Sequence, residues 1–182
     1  FKDRTILSWN DWFIPVLFHH HKRSSMAIEI EKKFLIKHIP FEQVQYSHKI
    51  KQGYIVSDKK KVIRVRKKSD DYFITIKGNK IGISRSEFEY KIPESDALEL
   101  LENFCELDSI IKTRHYVKHH GHTWEIDEFH GENEGLVVAE IELDSEDEQF
   151  DIPEWVLEEV TPDPRYYNMN LTVNPFSQWK EK

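Results

Sequence analysis

The 182 residues contain a single cysteine, Cys105, so no intrachain disulfide can form, and the chain fits a reducing cytoplasm. Cys105 lies in a Leu-rich helical stretch and is expected in the core. No long apolar run occurs. The one apolar stretch, Trp9 to Phe18, has about half the length of a membrane span, is interrupted by Asp11 and Pro15, and is followed by no small-residue cleavage site. Uncompensated positive charge is also missing. A formal net charge of -7 argues against a general nucleic-acid binder, whose affinity comes from clustered Lys and Arg. Neither nucleic acid nor membrane is expected as a partner. Internal repeats and low-complexity tracts are absent too.

What remains is globular material, 38% hydrophobic and 32% charged, of a length that suits one domain. We place that domain at 26–182, behind an extension at 1–25 expected to be a leader, a tag or an upstream start before Met26. His19-His20-His21 belongs to that extension. From Ile28 onward the pattern has period two, and it predicts strands at Ile28–Lys37, Ile50–Val56, Val62–Lys67, Tyr72–Gly78, Ser84–Lys91, Lys112–His119, His122–Phe129 and Leu136–Leu143. Asp70-Asp71, Gly78-Asn79, His120-Gly121 and Gly131 to Gly135 supply turns. Pro93 to Glu106 carries a helix start and apolar residues on one face, and Pro153 to Glu159 reads as a short second helix. The fold class expected is mainly β within α+β: eight antiparallel strands closed into a barrel, which hides their edges, with helices packed outside.

The strands share an unusual face. Residues two apart are Glu29, Glu31 and Lys33; Arg64 and Arg66; Arg85, Glu87 and Glu89; Lys112 and Arg114; Glu125 and Asp127; Glu140 and Glu142, with Lys77 ending the fourth strand. Each pair alone reads as the solvent face of an ordinary sheet. Together they allow a second reading. The intervening Ile30, Phe34, Val65, Phe88, Ile126 and Ile141 would pack outward beneath helices, and the charges would line a tunnel. Periodicity alone does not decide between the two. Acids and bases in near balance are what survives desolvation in a confined space. Neighbouring carboxylates suit hard divalent cations, Mg²⁺ or Mn²⁺, and facing Arg and Lys suit phosphate oxygens. A site supplying both fits a metal-chelated polyphosphate.

The ordered set "EIEKKFL", "QGYI", "IRVR", "TIK", "RSEFEY", "KTRHY", "WEIDEF", "GLVVAEIEL" and "EVTPDPRYYNMNL" resembles the CYTH superfamily, the triphosphate tunnel metalloenzymes, whose ExExK signature is matched by Glu29 to Lys33. The resemblance runs from Met26 to about Leu171 and is nearest to short bacterial inorganic tripolyphosphatases. It implies a barrel that binds two divalent metals and a linear triphosphate. By that resemblance Glu29, Glu31, Glu140 and Glu142 hold metal, with Glu87, Glu89 or Asp127 assisting. Lys33, Arg64, Arg66, Lys77, Arg85 and Arg114 grip phosphate. Tyr54 and Lys112 match a Tyr–Lys pair discussed for catalysis in some short members, and packing at a barrel end is the other reading of Tyr54.

The segment Thr161 to Asn168 is expected to lie over one tunnel mouth, and His115, His119, His120 and His122 to be exposed near a turn. The activity expected is metal-dependent hydrolysis of inorganic tripolyphosphate to pyrophosphate and phosphate. Three alternatives stand beside it: an organic triphosphate as substrate, as in class IV adenylyl cyclases or thiamine and RNA triphosphatases; a non-catalytic polyphosphate-binding module; and a structural barrel with its charges outside. An organic substrate calls for an aromatic or apolar patch at one mouth, which the sequence does not locate. Monomer and homodimer are both open.

Overall fold

Alternation of charged and apolar residues gives each strand two unlike faces, and closing the sheet puts one of them inside. The structure is a computed structural model that describes residues 28–58, 60–79, 81–105 and 109–179; the extension at 1–25 lies outside the described residues. Eight strands pair antiparallel: β1 (Ile28–Ile36), β2 (Val44–Ser57), β3 (Val62–Lys68), β4 (Asp71–Lys77), β5 (Ser84–Lys91), β6 (Ile110–His119), β7 (His122–Phe129) and β8 (Val137–Glu142). Their spatial order is β5-β4-β3-β2-β6-β7-β8-β1, and β1 returns to β5 through Ile28↔Ser86, Glu29↔Arg85 and Ile30↔Ser84. The eight strands form a closed barrel.

The charged face is inside. Lys33, Arg64, Lys77, Lys112, Arg114, Asp127 and Glu140 are all buried, which removes the reading with charges outside. The register sets opposite charges across from one another, Lys33 against Glu140, Arg114 against Asp127 and Arg85 against Glu29. Outward, Ile30, Phe34, Trp124, Ile126, Ala139 and Ile141 form an apolar layer. Phe150, Trp155 and Val156 of the following segment cover it, with Trp124 and Trp155 ring centroids 5.5 Å apart.

Helix α1 (Glu94–Asn103) covers a second stretch of outer wall, where Ala97 packs with Val65 and Tyr72. The Tyr72 hydroxyl donates to Glu94 at 2.5 Å and pins the start of the helix to β4. Gly53 of β2 lets the far end of α1 approach: a Cβ there would meet Cys105 Sγ at 2.8 Å.

The second expected helix is not formed. Residues Val156–Glu159 make a ninth strand, β9, paired with β1 through Phe34↔Glu159 and Ile36↔Val156. The backbone of β1 past its bulge offers free partners there, and four residues are too few for helical propensity to resist that pairing. Among the described residues no helix is long and apolar enough to cross a membrane.

Candidate active site

The inward side chains enclose a cavity of about 270 Å³. Seven cations line it, Lys33, Arg64, Arg66, Lys68, Lys77, Arg85 and Arg114, and so do seven carboxylates, Glu29, Glu31, Glu87, Glu89, Glu125, Glu140 and Glu142. The structure therefore brings together every residue the sequence proposed for phosphate, and all of those proposed for metal except Asp127.

Three strands build one wall. Arg114 reaches Asp127 through Nε and Nη2, each at 2.6 Å, and its Nη2 also donates to Glu140 at 2.6 Å; Glu125 receives Nη1. Lys33 donates to Glu140 and lies 3.3 Å from Glu31. Burial alone would lower the pKa of Lys33, and Glu140 and Glu31 more than reverse it, so the amine stays charged. The same field acts on Glu140. Burial would raise its pKa, and Lys33, Arg114 and Lys112 hold it well below the usual carboxylate range.

Opposite, Lys77 bridges Glu29 at 2.7 Å and Glu87 at 2.9 Å, and Arg85 Nε meets Glu29 at 2.5 Å. Arg66 donates to Glu89 at 2.7 Å, and Arg64 donates to Thr75 at 3.2 Å. The Nε donors of Arg64 and Arg66 are buried with no acceptor among the described residues. Buried N–H groups without partners are costly and mark where an anion is wanted.

Two of the proposed residues sit behind this lining. Lys112 is 2% exposed and donates to Asp127, which is fully buried and also takes both bonds from Arg114. Burial, together with the neighbouring Arg114, pulls the Lys112 amine down to about 8. Tyr54 lines the cavity. Its hydroxyl accepts from Gln52 Nε2 at 2.8 Å, and burial pushes it up to about 12, so it is a neutral group with its own proton left to donate.

For a metal, the donor chemistry fits and the side-chain positions show how it is balanced. Among the described residues no three His, Cys, Asp or Glu side chains are gathered as a metal cluster, because most of the carboxylates rest on Lys or Arg. Glu142 differs: it makes no ion pair among the described residues, and its pKa is raised by burial and then by Glu125, Glu29, Glu87 and Glu31. An excess of negative charge at one spot, supplied wholly by carboxylate oxygen, is what a hard divalent cation relieves.

One end of the barrel is stoppered. Inward-facing Tyr54, Val62, Ile110, Phe129 and Val138 join Leu136 and Leu171 in an apolar cluster, with Tyr166, Met169, Phe176 and Trp179 against it. Tyr167, Asn168 and Met169, in and beside the short helix α2 (Asn168–Leu171), line the cavity from that end. At the other end the strands carry Lys68, Glu125, Tyr46 and Tyr116.

Lys68 and Met169 were not singled out by sequence; Glu125 was placed on the charged face without a role, and Tyr167 and Asn168 belong to the segment expected over one mouth. Lys68 continues the register of Val62, Arg64 and Arg66, and would have been found had the third strand been extended by one residue. The histidines also depart from expectation. His115 is buried on the outer wall, bonded to Ser47 at 2.7 Å and facing Glu128 at 3.2 Å. His122 is half-buried and meets Glu148 at 2.8 Å. Its neighbour His120 is exposed as expected, against Asp151 at 2.7 Å.

Comparison with known proteins agrees with this geometry. Residues 27–167 match the CYTH domain. A protein of Acetivibrio thermocellus named inorganic triphosphatase is 49% identical over 156 residues, 86% of this chain and 100% of the relative. Another of that name, from Nitrosomonas europaea, is 35% identical across 80% of this chain and 97% of its own length. The crystal structure of an inorganic triphosphatase superposes with a TM-score of 0.60 at 32% identity, covering 82% of this chain and 97% of that one.

Proposed function

The chain belongs to the CYTH domain family, and from that membership we propose that it hydrolyses inorganic triphosphate to pyrophosphate and orthophosphate within its barrel. The observation that carries the reading is a pair of buried guanidinium donors, Arg64 Nε and Arg66 Nε, without an acceptor among the described residues, on two arginines that line the charged cavity. The names of the two relatives support the choice of substrate. So does the cavity volume of about 270 Å³, which suits a compact anion.

Glu29, Glu31, Glu140 and Glu142 would hold divalent metal, Mg²⁺ or Mn²⁺, with Glu87 and Glu89 beside them. Two such ions would neutralise phosphoryl oxygens and polarise the attacking water. The protein's own part is to bind and align. Lys33, Arg64, Arg66, Lys77, Arg85 and Arg114 exchange carboxylate for phosphate oxygens, each arginine able to grip in a fork. Tyr54 donates its free proton to a phosphate oxygen at the stoppered end. Lys112 and Asp127 act through Arg114: a fully buried carboxylate that takes two guanidinium bonds fixes the plane of that fork. Residues 167–169 and the apolar stopper keep bulk water from the inner end, which strengthens every charge interaction there. A pure anion-binding module has no use for the seven lining carboxylates.

Phosphate release from tripolyphosphate, assayed with Mg²⁺, with Mn²⁺ and with chelator, tests the proposal against a Glu29→Gln/Glu31→Gln variant. Release that needs metal and falls by about 100-fold or more in the variant is expected, since these are transition-state charge interactions. Release that survives both chelator and variant would overturn it.

A further inference from the structure

Behind the lining of the cavity, Gln52 of β2 is fully buried between its register partners, Arg66 of β3 and Ile110 of β6. It shares the inward face of the strand with Tyr54, while Gly53 between them turns outward to α1. The Gln52 amide nitrogen donates to the Tyr54 hydroxyl at 2.8 Å. Its amide oxygen, Oε1, is buried with no hydrogen-bond partner among the described residues. An apolar side chain beside Ile110 would fill the same place without desolvating an amide, so the polarity of Gln52 calls for a use other than packing.

The surrounding charge decides which way round the amide lies. Across the strand pair stand two guanidinium groups, Arg66 opposite Gln52 and Arg64 opposite Tyr54, each with a buried Nε that has no acceptor. Cations in want of acceptors favour the amide oxygen on their side, which leaves the amide nitrogen for Tyr54. That nitrogen only donates, so the hydroxyl oxygen must accept and its proton is left over. The Tyr54 hydroxyl has no further partner among the described residues, and its side chain lines the cavity. Burial pushes its pKa up to about 12, so at neutral pH the proton stays in place.

We propose that Gln52 is a positioning residue, through which the unmet charge of Arg66 fixes the Tyr54 O–H bond in the direction of the innermost phosphate oxygen. The inference rests on the hydrolase reading above and deepens it by naming what aims its tyrosine. Gln52 touches neither substrate nor metal and acts through Tyr54 alone. As negative charge builds on the phosphoryl oxygens, a donor that is already aimed needs no reorganisation, whereas a hydroxyl free to spin must first be turned. The Tyr54 O–H bond itself stays intact.

Gln52→Glu tests this with hardly any change of volume. A carboxylate facing Arg64 and Arg66 is ionised and can only accept, so it draws the Tyr54 proton to itself and away from the cavity. The constants kcat and KM for tripolyphosphate are measured with metal in four proteins: wild type, Gln52→Glu, Tyr54→Phe and the two combined. Each single substitution is expected to lower kcat by about tenfold or more, the worth of one hydrogen bond to a charged oxygen, and Gln52→Glu to lower it no further once Tyr54→Phe is present. A kcat for Gln52→Glu within about twofold of wild type overturns the proposal. So does a loss of equal size in the Tyr54→Phe background, where the new charge would be acting on the substrate directly. Should the carboxylate prevent folding, Gln52→Met repeats the cycle without a charge: it releases the hydroxyl, and the proposal requires a loss in kcat of about threefold or more that again vanishes beside Tyr54→Phe. Equal losses in both backgrounds, or none, overturn it. If the wild-type chain cleaves no tripolyphosphate, the hydrolase reading fails separately. The cycle is then read in tripolyphosphate affinity by titration calorimetry, where a loss in Gln52→Glu that disappears beside Tyr54→Phe upholds the role of Gln52, and unchanged affinity or equal losses overturn it.

Discussion

Replacing Asp127 by Asn changes almost no volume and removes one charge from the most enclosed ion cluster in the barrel. Asp127 is fully buried and is shared by Lys112 and Arg114. Two costs follow. Arg114 keeps Glu125 and Glu140, and the amide oxygen that replaces the carboxylate still accepts one of the two bonds, so one bond to a charged acceptor is lost, worth about 2 kcal/mol whatever the pH. Lys112 loses the carboxylate it is paired with, and its response depends on pH.

The folded pKa of Lys112 is about 8 in the wild type, and removal of Asp127 drives it lower still, so the folded variant carries a neutral amine where the unfolded chain carries a charged one. The unfolded state then binds more protons, and stability relative to wild type falls as pH falls below 8. One pH unit is worth about 1.4 kcal/mol, so this second cost is about 1.4 kcal/mol at pH 7, about twice that at pH 6 and negligible at pH 9. The total loss expected is about 2 kcal/mol at pH 9, between 3 and 4 at pH 7 and about 5 at pH 6. Urea unfolding at the three pH values measures it. A loss that is flat with pH, or larger at pH 9, refutes the reasoning; recovery at pH 6 on adding Lys112→Met to the variant supports it.

Three further outcomes are expected. Burial would raise the pKa of Glu140, Glu87 and Glu89, but Lys33, Lys77 and Arg66 hold all three below the usual carboxylate range. The stability they contribute is present above about pH 4.3 and lost as pH falls through their folded values. Melting temperature should therefore drop less steeply toward pH 3 in Glu140→Gln than in wild type, and parallel slopes would count against the ion pairs. In Gly53→Ala the new Cβ would sit 2.8 Å from Cys105 Sγ and 3.1 Å from Leu101 Cδ2, which should cost about 1–3 kcal/mol in urea unfolding. An unchanged midpoint would mean that the end of α1 yields freely. Trp124→Ala empties the centre of the outer apolar layer, where Phe34 lies 5.4 Å and Trp155 5.5 Å away between ring centroids, and should cost about 3–5 kcal/mol by calorimetry.

Much of the architecture was legible because charge alternation survives closure of a sheet. Glu29, Glu31 and Lys33 could not face the same way as Ile30 and Phe34, and the balance of acids and bases across strands pointed inward. Depth was not legible. Nothing in the period separates Lys112 and Asp127, sealed behind their own ion pair, from Arg64 and Glu140, which line the cavity. Strand ends were the other limit: beginning β2 at Ile50 cut off Tyr46 and His48, so their packing against Tyr116 had no place in the pattern. At Val156–Glu159 a helix start signal lost to the unpaired backbone of β1, a partner 120 residues or so away in sequence that no local reading supplies. His115 was judged by its nearness to a turn, although its odd register on β6 sends it to the outer wall against Ser47 and Glu128.

The apolar stopper built from Tyr54, Val62, Phe129 and Leu171 also sets a timetable. With one end filled by side chains among the described residues, a fragment formed at the inner end has the remainder of the molecule between it and the open mouth. Under the proposed hydrolysis, the order in which two products leave would report which end of the triphosphate is cut, since the inner one can go only after the outer.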